Sequence, residues 1–171
     1  MTRNDEIRMT NDEFRELKGI PATIVQGHRV ASGLNGNPMF PGGTLRMQLP
    51  FFAALGLDLN SFYPGTLNVS ITPLSYRIVK PKLSFRNVKW HPTEPAEDFS
   101  FFDVTVHRDK WPAVSGLIYF PHPDTKPTHF QKPDVLELLL PWTKGLSYGN
   151  DIMLEVPGEQ MSFTRAENEV V

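Results

Sequence analysis

The sequence predicts a mainly β protein, a small closed barrel of six strands carrying one or two short helices. Three observations lead there. Sixteen prolines are spread along the chain after residue 20 and interrupt any long helix. From Ser75 to Tyr119 the text runs in short segments rich in β-branched and aromatic residues, with apolar positions recurring every second residue. Closing such strands on one another is the economical way to leave no edge exposed.

Length and composition bound the rest. At 171 residues the chain has room for one domain with a real core and lacks a composition break that would divide it. A hydrophobic content of 40% with 21% charged residues is that of a globular protein. The formal net charge of -2, with no lysine or arginine stripe, argues against a nucleic-acid partner or an acidic membrane surface. With no cysteine, disulfides, thiolate catalysis and thiolate metal sites are excluded together. No hydrophobic run of signal-peptide type follows Met1 and no apolar stretch approaches membrane-spanning length, so a soluble cytoplasmic protein is expected.

Residues 1–20 read as a polar arm and a short helix. Thr10-Asn11-Asp12-Glu13 has the spacing of a capping box, Phe14 and Leu17 share a face, and Gly19 stops the helix. The barrel is expected over 21–157. Its first strand is Ala22–Ala31, with Gly27 at a position that tolerates a bulge or a close crossing. A glycine-rich loop follows, with glycines at 33, 36, 42 and 43; such a loop either turns the chain or lets backbone N–H groups approach a phosphate. A helix over Leu49–Leu57 starts at Pro50 and ends at Gly56. Strands follow at Tyr76–Val79, Lys82–Val88, Phe99–Val106, Ala113–Phe120, Val135–Leu140 and Asp151–Val156, with the phenylalanines expected in the barrel core. Residues 158–171 read as a flexible tail.

The most informative run is Tyr63-Pro64-Gly65-Thr66-Leu67-Asn68-Val69. A Pro-Gly turn opens into a strand on which Thr66 and Asn68 leave the same face. Two readings apply. In one, both side chains hydrogen-bond the turn. In the other, a hydroxyl and an amide carbonyl form a neutral pair of hard oxygen donors suited to Mg²⁺, with substrate phosphates supplying the negative charge. Glu137 is the single charge in the apolar run Val135–Leu140, and it is either the solvent-facing residue of an edge strand or a buried acceptor.

The segment Gly65-Thr66-Leu67-Asn68, with Leu55-Gly56-Leu57 and Tyr63-Pro64 before it, resembles the signature of the archaeal CTP-dependent riboflavin kinases. Gly27-x-x-Val30-x-Ser32-Gly33-Leu34 is similar to the strand and loop that embrace the nucleotide in that family. The C-terminal half resembles it in the order of its parts: Gly116, a β run ending in Pro121, a threonine, a histidine, Val-Leu-Glu-Leu, a proline, and a last strand after a Gly-Asn turn. The resemblance spans roughly residues 24 to 156 and implies a cradle-loop barrel. It implies transfer of a phosphoryl group from CTP to riboflavin, giving FMN, with Mg²⁺ held by Thr66 and Asn68. It places the nucleotide against Gly33, Leu34, Asn35 and Gly36, and against Thr143 and Lys144. It places the flavin against Glu137 and either Thr125 or Thr128. This chain departs from the pattern twice: Asn35-Gly36-Asn37-Pro38-Met39-Phe40 stands where the family has Gly-Glu-Gly-x-Tyr-Phe, and Trp142-Thr143-Lys144-Gly145 stands where it has a Leu-Arg segment.

Both departures lie on the nucleotide side. They motivate a second expectation, a barrel without catalytic activity that binds flavin or nucleotide as a carrier or regulator. No two histidines fall at an i, i+4 spacing, and no Gly-x-Ser-x-Gly elbow or Gly-x-x-x-x-Gly-Lys-Ser/Thr loop is present, so zinc, serine-hydrolase and P-loop chemistry have no support.

Overall fold

A computed structural model describes residues 19–27, 43–126 and 132–165. The helix expected over residues 10–18, most of the glycine-rich loop and Thr128 lie outside them. Among the described residues the chain is mainly β, with nine strands and one helix: β1 (Ile20–Val25), α1 (Thr44–Ala54), β2 (Leu67–Ser70), β3 (Leu74–Ile78), β4 (Leu83–Val88), β5 (Glu97–Arg108), β6 (Trp111–Pro121), β7 (Val135–Leu139), β8 (Asp151–Glu155) and β9 (Met161–Arg165). All pairings are antiparallel. The large sheet has the order β4-β5-β6-β7-β2-β1-β8, and an added β5–β8 pairing joins six of its strands in a ring. No helix among the described residues is long and apolar enough to cross a membrane.

Side-chain alternation divides the interior into two cores. Phe102, Val104 and Val106 of β5, Ile118 of β6, Leu136 and Leu138 of β7, Val69 of β2 and Ile24 of β1 meet inside the ring. The other parity of the same strands, Phe99, Phe101, Leu117, Tyr119 and Leu139, forms a second core against α1 and β4. Strands buried on both faces read as continuous apolar runs, which is why Phe99–Phe102 and Val135–Leu140 show so little polar alternation, whereas Asp103 and Thr105 alternate with buried Val104 and Val106 where one face of β5 opens. The aromatic residues expected inside the barrel are thus mostly outside the ring. Phe52 of α1 packs edge-on against Phe99 and Phe101, with ring centroids 5.0 and 5.2 Å away, and stacks on Phe85 at 6.1 Å. Burying a phenylalanine in this way contributes roughly 3 kcal/mol.

Two further expectations are corrected. The helix starts at Thr44, six residues before Pro50, and Pro50 lies inside it. The helix tolerates the missing N–H because Pro50 and Arg46 both face solvent, where water satisfies the freed carbonyl, while Leu45, Gln48 and Phe52 face the core. Gly56 does end the helix: it has φ 101°, Gly56 N–H donates to the Ala53 carbonyl and Leu57 N–H to the Phe52 carbonyl, the paired bonds of a Schellman cap. The stretch expected to be a flexible tail contains β9, which pairs with β3 and buries Met161 and Phe163 in the ring core. Residues 166–171 lie outside the described residues.

Candidate functional site

Tyr63 N–H donates to the Leu140 carbonyl at 2.9 Å and fixes the Pro64-Gly65 turn at the end of β7. The chain then enters β2, which lies between β1 and β7, so its outward side chains have neighbours on both sides. Asn68 stands opposite Val25 of β1 and opposite Glu137 of β7. Both are buried, Asn68 at 7% exposure and Glu137 at 8%. The Thr66 hydroxyl donates to Glu137 Oε1 at 3.2 Å. Glu137 therefore occupies a central strand as a buried acceptor, and Thr66 satisfies it rather than the turn.

Asn68 shapes its own cradle. A Cβ on Gly27 would come within 2.2 Å of the Asn68 amide nitrogen and 2.6 Å of its Cγ, so only a glycine fits beneath that side chain. The close crossing that Gly27 suggested is the passage of the Asn68 amide over the end of β1.

Around Glu137 the polar network extends to α1. Tyr119, in register with Glu137, donates its hydroxyl to Gln48 Oε1 at 2.7 Å. Burial pushes the Tyr119 phenol well above its usual range, and the carboxylates of Glu137 and Glu97 add to it. Burial likewise raises the Tyr76 phenol, with Glu137 contributing, so both phenols stay neutral donors at neutral pH. A cavity of about 220 Å³ opens beside Glu137, with Tyr76, Ile118 and Phe120 among its apolar walls and Lys126 and Lys132 at its border. Tyr76 and Phe120 meet nearly perpendicular, their centroids 6.2 Å apart. The volume is below the roughly 300 Å³ at which pockets enclose a whole drug-sized ligand, so it takes one end of a planar molecule and leaves the remainder outside.

The other expected site residues are distributed as follows. Thr125 accepts from Asp98 N–H at 2.9 Å and donates to the His122 carbonyl at 3.2 Å, holding the turn that leads to Lys126. Thr143 donates to the Pro141 carbonyl at 2.7 Å. The Lys144 side chain is exposed, and its carbonyl accepts from Arg108 Nη1 at 2.7 Å. Gly33, Leu34, Asn35 and Gly36, like Thr128, are outside the described residues. Spacing alone does not single out Tyr76, which comes from β3, or Arg108, which comes from the β5–β6 hairpin. A tyrosine in a strand and an arginine before a hairpin turn carry no signal of their own.

Comparison with family models, with curated proteins and with solved structures returns no match to this chain. Function therefore rests on the geometry. Thr66, Asn68 and Glu137 offer a hydroxyl, an amide and a carboxylate, oxygen donors of the class that Mg²⁺ takes, while no cluster of three or more His, Asp or Glu side chains that could hold a metal occurs among the described residues.

Proposed function

We propose that this protein is a riboflavin kinase-like phosphotransferase, and that its six-stranded ring is a closed cradle-loop barrel of the riboflavin-kinase type. The observation that carries the reading is that Thr66 and Asn68 both meet Glu137, which is 71 positions from Thr66 in the chain and itself lines a cavity with apolar aromatic walls. The cavity accepts the aromatic end of riboflavin, and Glu137 fixes its orientation. The ribityl chain leaves the cavity along the outer face toward Thr66. Its terminal hydroxyl oxygen forms a bond to the γ-phosphorus of a nucleoside triphosphate, CTP by the resemblance; the bond to the bridging oxygen breaks, the diphosphate departs, and the hydroxyl proton is released.

Thr66 and Asn68 would hold Mg²⁺, with Glu137 beside them, and the ion supplies neutralisation of the donor phosphates. The side chains contribute alignment. Thr66 and Glu137 fix one another, Gly27 leaves room for the Asn68 amide, and the buried strands beneath keep all three in place. Phosphoryl transfer depends chiefly on such positioning and on charge stabilisation.

The test is incubation of the purified protein with riboflavin, Mg²⁺ and each of CTP, ATP, GTP and UTP, with FMN separated and quantified. FMN formation is expected with at least one donor. It should fall by about 10² or more in Thr66→Val and in Asn68→Ala, in line with the usual loss when a group stabilising developing charge is removed. No FMN with any donor, while riboflavin fluorescence is still quenched on binding, would reassign the protein as a flavin carrier. FMN formation that survives loss of both side chains would remove Thr66 and Asn68 from the reaction.

A further inference from the structure

A second recess, of about 490 Å³, lies on the outer face of the sheet, over the seam where β5 and β8 close the ring. Its floor is one row across three strands: Pro21 of β1 and His107 of β5 each stand opposite Met153 of β8. Ile20, Ala22, Ile152 and Leu154 are buried in the ring core, so the alternate residues Pro21, Thr23, Asp151 and Met153 point outward. Asp151 takes the Thr23 hydroxyl at 2.9 Å, Asp109 borders the recess, and the Glu155 carboxylate stands 3.9 Å from His107. Among the described residues the walls thus carry carboxylates and no lysine or arginine, over a floor that leaves Met153 40% exposed.

The chain itself arrives at this recess. Gly19, the residue before β1, sits on Met153: a Cβ there would come within 3.0 Å of Met153 Sδ. Residues 1–18, which lead into it, are outside the described residues, but their sequence carries a helix signature. Thr10 and Glu13 have capping-box spacing, and Met9 and Phe14 stand at the two positions of a hydrophobic staple. At about 3.6 residues per turn, Phe14 and Leu17 form one apolar stripe, with Lys18 and Arg15 on one flank of it and Glu13 and Glu16 on the other. A helix that stops at Gly19 has no linker before β1 begins at Ile20, so it lies beside that strand, and the inner face there is already filled.

We propose that residues 10–18 dock as a helix across this recess, with Phe14 and Leu17 seated on Met153 and Pro21 and the flank of Lys18 and Arg15 turned to Asp109 and Asp151. The occupant is this chain's own N-terminal segment. Two facts select it: the segment is joined directly to Gly19, which lies on the floor, and its charges are segregated so that one flank matches the carboxylate walls while the other is repelled by them. The docked helix spans β1, β8 and β5. It thereby clasps the seam of the ring, which is joined over the three residue pairs Thr105–Glu155, Val106–Leu154 and His107–Met153. The inference stands apart from the phosphotransferase reading, because none of its residues belongs to the site around Glu137.

The chain has no cysteine, so each pair of introduced cysteines reports one contact. In the full chain, Phe14→Cys combined with His107→Cys or with Asp109→Cys should form an intramolecular disulfide under mild oxidation. Glu16→Cys with the same partners should do so about tenfold more slowly or worse, because a disulfide needs Cβ atoms about 3.5–4.5 Å apart. His107 and Asp109 are exposed, so substituting them leaves the fold intact. Lys18→Glu should slow the cross-link from position 14 several-fold, and Asp151→Lys in the same chain should restore it. Hydrogen exchange on the unsubstituted protein gives an independent reading: amides 14–18 should exchange about tenfold or more slower than in a free peptide, and Met153→Asp should abolish that protection. Unprotected exchange across 14–18, protection that survives Met153→Asp, or equal cross-linking from positions 14 and 16 would each overturn the proposal. Cross-links formed only between chains, at a rate rising with protein concentration, would overturn it as well and give the recess to the segment of a second copy.

Discussion

Glu137 and Glu97 are both carboxylates buried among aromatic rings, and their neighbours give them different uses. Glu137 accepts from Thr66 beside the cavity, whereas Glu97, at the start of β5, accepts from Trp90 Nε1 at 2.8 Å. Burial raises the Glu97 carboxyl above its ordinary value of 4.5, and the Trp90 bond and the Lys126 charge offset this only in part. With the folded value above the unfolded one, the contribution to stability is fully present below pH 4.5 and is lost as pH rises through the folded value. Glu97→Gln keeps an acceptor for Trp90 and removes the charge. It is expected to be at least as stable as the parent at pH 7 and to lose that advantage below pH 4.5, measured as urea midpoints at both pH values. A variant markedly less stable at pH 7 would show that the charge itself holds Trp90. Gly27 makes a second case: Gly27→Ala should cost about 1–3 kcal/mol because its methyl group displaces the Asn68 amide. The cost should shrink in an Asn68→Ala background, and strictly additive effects in that double-mutant cycle would place the clash elsewhere.

At the scale of elements, the β3–β9 ribbon is the part least anticipated by pattern. It brings Tyr76 to the cavity wall and inserts Met161 and Phe163 into the ring core. Its anchor is Gln160: the side-chain carbonyl accepts from Asp103 N–H at 2.7 Å, the amide donates to Asp103 Oδ2 at 2.8 Å, and the backbone carbonyl accepts from Val79 and Lys80. One residue thus fastens the entry of β9 to β5 and to the end of β3. Gln160→Ala should cost about 1–2 kcal/mol. Hydrogen exchange should quicken in β3 and β9 before the six-stranded ring is affected, and uniform quickening would mean the ribbon is not a separable unit. The strands themselves were readable because their residues alternate or, where both faces are buried, run apolar for longer than a turn allows. β9 was legible in principle, since Met161 and Phe163 alternate with Ser162 and Thr164, but five residues in a polar terminus give too short a period to separate from loop.

For the whole molecule, local sequence established the mainly β class, most strand positions and the glycine stop at the end of α1. Those properties follow from periodicity and backbone preference, which act over a few residues. Only the tertiary structure decided that Phe85, Phe99 and Phe101 pack outside the ring against Phe52 of α1 and that Glu137 is a buried partner of Thr66. It also decided that Tyr76 joins the cavity from β3 and that Arg108 reaches Lys144. Each of these depends on which strands become neighbours and in what register, through contacts between residues far apart in the chain, and no local pattern encodes that choice.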